Sequence, residues 1–149
     1  MSVHDFGNPI RETMTKALQT LRMVQWSMLA SIVLYGIVGE AVGPAPRGVD
    51  PALSYLFATL SVAIVGAILV VRRTLVLRAA ESLATHPEDS LSINHWRTGY
   101  MITYALSEAL ALFGLILRLR GSPAQASVSY YIGGFVLLLF FRPKQPASA

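Results

Sequence analysis

Residues 99–117 read "GYMITYALSEALALFGLIL". As a helix rising 1.5 Å per residue, this run covers most of a hydrocarbon core of about 30 Å. It holds one acid, Glu108, and no base. Its length and apolar character assign it to a membrane span. Working outward, three more apolar runs stand at about Met23–Val42, Leu53–Val71 and Ala124–Phe141. The expected fold is therefore all-α: an integral membrane bundle of four transmembrane helices with a short N-terminal amphipathic helix. Residues 1–149 form a single transmembrane domain. The fourth span has the shortest strictly apolar part, "VSYYIGGFVLLLFF" (128–141), and needs the preceding "AQAS" to cross.

Composition agrees. Of 149 residues, 54% are hydrophobic and 13% charged, against about a quarter charged in soluble domains. The net charge of +4 comes from basic residues at the ends of apolar runs, and no basic stripe with interleaved aromatics occurs. Nucleic acid is therefore not an expected partner. With no cysteine, thiol catalysis, cysteine-bound metals and disulfides are excluded. Residues 1–22 carry Asp5, Arg11, Glu12, Lys16 and Arg22 without an apolar core, unlike a cleaved signal peptide.

Lysine and arginine set the expected orientation. One side would hold the N-terminal segment (Arg11, Lys16, Arg22), the middle loop (Arg72, Arg73, Arg78, Arg97) and the tail (Arg142, Lys144). The other would hold Arg47, Arg118 and Arg120. The positive-inside rule then places both termini in the cytoplasm of a cell inner membrane, as a multi-pass protein. Trp26, Trp96 and Tyr100 fall near the cytoplasmic ends of spans, and Tyr55, Tyr130 and Tyr131 near the outer ends, where interfacial anchors belong. His95-Trp96-Arg97 reads as part of that anchoring, since a lone histidine lacks a second ligand at metal spacing.

The connections are also legible. Asn8 is expected to cap a helix that begins at Pro9, with Ile10, Met14, Leu18 and Leu21 forming an amphipathic stripe on the cytoplasmic surface. The proline-rich "GPAPRGVDP" is expected to force spans one and two into an antiparallel pair. Span two should continue through "RRTLVLRAAESLAT" until Pro87 stops it, and "PEDS" should open the next helix with acids at its N-terminus.

Glu108 lies about ten residues from either end of its span, or roughly 15 Å deep at 1.5 Å per residue. An ionised carboxylate at that depth costs at least about 2.5–3.5 kcal/mol. Desolvation thus favours the neutral acid, and no Lys, Arg or His lies inside a span to offset it. The expected partner is a proton or a small cation. Ser107, Ala111 and Gly114 line one side of the helix and admit a close neighbour, while Met101, Tyr104, Leu112 and Leu115 share the face of Glu108. Span two places Thr59 and Ser61 at similar depth, so the candidate ion-binding set is Glu108, Ser107, Thr59 and Ser61. Glu40 lies near an outer end, in reach of Arg47 or Arg118, and Gly39 and Gly43 beside it form a small-xxx-small pattern.

The stretch "YALSEALALFGLIL" (104–117) resembles the C-terminal helix of the proteolipid, or c, subunit of F-type ATP synthases. "AAESLATHPEDSLS" (79–92) stands where that family has its polar loop, with Thr85-His86-Pro87 in the motif's position. The resemblance implies an ion-carrying role for Glu108 with Ser107 beside it, a cytoplasmic hairpin loop, and assembly with further copies. The chain departs from the family in having two extra spans. It also carries Ala63, Gly66 and Ala67 in place of a repeated Gly-x-Gly run.

The functional expectation is a non-enzymatic proteolipid-like subunit that binds a proton or small cation. It would partner the lipid bilayer and, as a homo-oligomer or otherwise, further membrane subunits. The alternative is an accessory or scaffold subunit in which Glu108 only bonds a neighbouring helix. Paired catalytic acids, a histidine cluster and a phosphate loop are all missing from the sequence, so neither an enzyme nor a cofactor is expected.

Overall fold

Between Glu12 and Val42 the chain has no proline, and its glycines (Gly36, Gly39) lie near the far end, so nothing stops a helix. In the computed structural model, which describes residues 9–48, 50–86 and 89–144, helix α1 runs unbroken over Pro9–Val42. The expected short N-terminal helix is thus not a separate element. Ala17, Leu18, Leu21 and Gln25 carry one buried stripe straight into the apolar part. The expected Asn8 cap lies outside the described residues.

Asp50 caps α2 (Pro51–Val71) by accepting from the Ala52 and Leu53 amides, with Pro51 at the first helical position. The helix does not end there. It widens into a π-helical segment, Arg72–Leu77, and resumes as α3 (Arg78–Thr85). The result is one 35-residue rod, Pro51–Thr85, about 52 Å long at 1.5 Å per residue. The expected continuation past the span is borne out. Asp89 then caps α4 (Ser90–Leu119), as the acids before it suggest. A Schellman turn follows: Gly121, at φ 88°, lets its own amide reach Arg118 O and the Ser122 amide reach Leu117 O. Helix α5 (Ala124–Phe140) completes the chain.

Among the described residues three helices, Glu12–Val42, Pro51–Thr85 and Ser90–Leu119, are long and apolar enough to cross a membrane, and α5 is a shorter apolar helix of 17 residues. The molecule is all-α, with the composition of a small multi-span membrane protein.

Helix α4 is the hub. In its most apolar stretch 44% of residues are buried inside the protein, against 22% for α1 and 11% for the α2 rod. It packs on α1, α5 and the α2 rod, and α1 also packs on α5. Small residues decide its closest contact. A side chain on Gly134 would meet Ser107 O at 2.6 Å and Ala111 Cβ at 3.0 Å, and one on Gly114 would meet Ser127 O at 2.7 Å. The expected small-residue face of Ser107, Ala111 and Gly114 is therefore the seat of α5.

Two expectations are corrected. Among the described residues helices α1 and α2 make no contact, because each docks on a different side of α4 instead of closing a tight pair. Trp96 and Tyr100, expected as interfacial anchors, are 1% and 3% exposed and belong to the core, where their rings meet edge to face at 5.0 Å. Of the expected anchors, Trp26 and Tyr55 do face outward, at 70% and 76% exposure.

Candidate functional site

Glu108 is partly buried on the side of α4 that faces α1. There the Tyr35 hydroxyl donates a hydrogen bond of 2.6 Å to Glu108 Oε1. Among the described residues Glu108 forms no ion pair, whereas Lys16 pairs with Glu12 and Arg118 with Glu40. Tyr35 in turn accepts at its backbone carbonyl from the Tyr131 hydroxyl of α5, at 3.4 Å. The acid therefore sits where three helices converge.

The hydroxyls expected around Glu108 go elsewhere. Thr59 donates to Tyr55 O at 2.9 Å and Ser61 to Phe57 O at 2.6 Å, both within α2. Ser107 is fully buried beneath α5 and donates to Thr103 O at 2.8 Å. The reason is rotational. Helix α2 docks through Phe57, stacked on Phe113 at 4.7 Å and 7°. Phe113 follows Glu108 by five residues, about 140° further round at roughly 100° per residue. The face of α4 that meets α2 is thus turned away from the acid.

Tyr35 was not anticipated. Its signal was a stripe of hydroxyls in span one, Ser27, Ser31 and Tyr35, recurring every fourth residue and so facing one way. Along α4 the same spacing places Trp96, Tyr100 and Tyr104 in file below Glu108, with the two tyrosine rings 6.0 Å apart. The Tyr104 hydroxyl is buried without a hydrogen-bond partner among the described residues.

Charged groups bracket this file without reaching the acid. Toward the C-terminal end of α4, Arg118 is buried and donates through Nε and Nη2 to Glu40 at 3.1 and 3.4 Å, and through Nη1 to Pro44 O at 2.9 Å. Of the two expected pairings for Glu40, Arg118 is the one formed. The Gly39–Gly43 pattern makes room for it: side chains there would meet Arg118 Cγ at 3.3 Å and Cζ at 2.9 Å. At the other end the Arg72 guanidinium lies 4.2 Å from the Phe141 ring centre and 5.4 Å from that of Tyr100, a cation–π sandwich. Between these ends Gln25, also unanticipated, donates to Leu138 O at 2.6 Å. That carbonyl lies in the last turn of α5, where no helical amide remains to reach it.

The fold and site thus define a small multi-span membrane protein with an acid on its central helix bonded by a tyrosine. Compared with protein-family models, curated proteins and solved structures, the chain matches none of them.

Proposed function

We propose that this chain is a non-enzymatic membrane protein that takes up and releases a proton at Glu108, with Tyr35 as the residue that holds the acid in place. The reading rests on one observation, the 2.6 Å bond from Tyr35 to a carboxyl that has no basic partner among the described residues. An acid inside a span without a counter-charge is a functional group by default, and in this reading it carries a proton at rest. A proton is favoured over Na⁺. A metal cation normally wants about six oxygens, and among the described residues the hydroxyl bonded to Glu108 is that of Tyr35, not Thr59, Ser61 or Ser107.

In this reading all four apolar helices cross a cell inner membrane, with both termini in the cytoplasm. The distribution of Lys and Arg supports that orientation. Helix α5, at 17 residues, covers about 26 Å and crosses with slight thinning of the bilayer. The resemblance of 104–117 to the proteolipid subunit supports assembly with further copies, and the outward-facing apolar surface of α2 leaves room for them.

A second reading is favoured by the same bond, because it also ties α1 to α4. The chain would then be a scaffold and Glu108 a packing group. Glu108→Gln separates the two, since the amide oxygen still accepts from Tyr35. Loss of proton movement in reconstituted vesicles, with assembly intact, supports the first. A hydrophobic carbodiimide, which attacks protonated carboxyls in apolar surroundings, should label Glu108 and do so less as pH rises. Glu108 left unlabelled, or labelled equally at every pH, sinks the proton-binding reading.

A further inference from the structure

Away from Glu108, the N-terminal stem of α1 and the first turns of α4 line an open cleft of about 290 Å³. Lys16 and Thr20 approach it from α1, and Ser90, Asn94 and Arg97 from α4. Its floor is apolar, made by Ala17 and Ile93. The spacing on each helix is that of a single face, so both faces turn into the cleft together.

We propose that this cleft binds the phosphate group of an anionic phospholipid. Depth is the first support. Arg97 precedes Glu108 by eleven residues and Ser90 by eighteen, which puts them about 16 and 27 Å from the level of that acid at 1.5 Å per residue. With the acid near the midplane, the cleft begins at the edge of the hydrocarbon, about 15 Å out, and extends through the headgroup layer. Chemistry is the second. Two cations face each other across a gap edged by hydroxyl and amide groups, over an apolar floor suited to the glycerol and upper acyl chain.

The nearby acids do not cancel this charge. Glu12 pairs with Lys16 at 2.6 Å, but both side chains are about two-thirds exposed or more. Such pairs contribute little, and Lys16 can exchange this partner for a phosphate. Asp89 turns the other way: its carboxylate accepts from the Leu91 amide and from the Ser92 hydroxyl, and Ser92 bonds Ser82 of α3. The site does not depend on the chemistry of Glu108.

The test uses the full chain in neutral detergent, with native mass spectrometry to count bound phosphatidylglycerol and phosphatidylcholine. Wild type should retain phosphatidylglycerol preferentially. Each cation near the membrane surface contributes about 1 kcal/mol. Lys16→Ala with Arg97→Ala should therefore weaken that binding about thirtyfold. Arg73→Ala with Arg142→Ala, which removes two exposed cations outside the cleft, should leave it unchanged. Lys16→Arg with Arg97→Lys should retain binding, and Asn94→Asp should weaken it should the double alanine variant fail to fold. Inorganic phosphate forms a second arm. A melting temperature raised by phosphate over chloride at equal ionic strength, and lost in the double alanine variant, assigns the site to soluble phosphate. Equal retention of the two lipids without a phosphate effect overturns the proposal, and so does an equal loss in the Arg73/Arg142 variant.

Discussion

Replacing Tyr35 by Phe removes one hydroxyl and leaves the ring in place. The bond it makes to Glu108 is short, at 2.6 Å, and partly buried between α1 and α4. Interhelical hydrogen bonds in membrane proteins couple by about 0.6 kcal/mol on average and by up to about 1.7. A bond to a neutral carboxyl belongs in that range, whereas one to a carboxylate reaches about 1.5–3 kcal/mol. The proposed neutral acid thus predicts a coupling of about 1 kcal/mol between Tyr35→Phe and Glu108→Leu in a double-mutant cycle, about a fivefold effect on the unfolding equilibrium. The cycle cancels the change in lipid affinity from losing the acid, which the Glu108→Leu variant carries alone and in the double variant alike. Unfolding by an anionic detergent titrated into mixed micelles can be followed by the fluorescence of Trp96, which is 1% exposed when folded. A coupling below about 0.3 kcal/mol, the limit of ordinary additivity, would refute the contact. One near 3 kcal/mol would refute the neutral acid.

The same assay checks the Arg118 clamp. Its side chain is 9% exposed and that of Glu40 53%, so Glu40→Ala strands a buried guanidinium while Arg118→Met frees a carboxylate to hydrate. The first should cost about 2 kcal/mol after discounting for solvent and for the bond to Pro44 O, and the second about 1 or less; the reverse order contradicts the buried clamp. Gly134→Val drives a side chain toward Ser107 O, 2.6 Å from the first added atom, and should destabilise by about 1–3 kcal/mol or separate α5 from α4. Gly36→Ala, where nothing lies within 4 Å, should instead stabilise α1 by up to about 1 kcal/mol. At Asp89 the Ser92 hydroxyl, and then the Leu91 and Ser92 amides, hold the carboxyl below its ordinary value. A depressed folded-state value means the cap stabilises α4 above the usual aspartate range and is lost as pH falls through the folded value. Amide protection in the first turn of α4, taken relative to the intrinsic exchange rate at each pH, should fall on acidification, and Asp89→Asn should abolish that dependence.

The sequence by itself determined the class of protein and the approximate extent of its apolar helices, though not that the N-terminal stripe and span one form a single helix. Apolar length is a one-dimensional property: a helix bonds its own backbone, so hydrocarbon selects any run long enough to cross. The acids opening α4 were equally local, with Asp89 bonding an amide two residues on, whereas the matching cap at Asp50 was seen only in the structure. The lone acid of the central apolar run and the close-packing face of Ser107, Ala111 and Gly114 could likewise be read along one helix. What only the tertiary structure decided was which neighbour each face meets. Thr59 and Ser61 stand at the right depth for Glu108, yet Tyr35 bonds it, because Phe113 directs α2 to another side of α4. At about 100° per residue a small rotation of one helix exchanges one set of partners for another. That rotation was set by contacts between helices, Phe57 stacking on Phe113 and glycines seating α5 on α4. The same packing drew Trp96 and Tyr100 into the core and buried Arg118 against Glu40, since composition states that a ring or a cation is present but not which way its helix turns it.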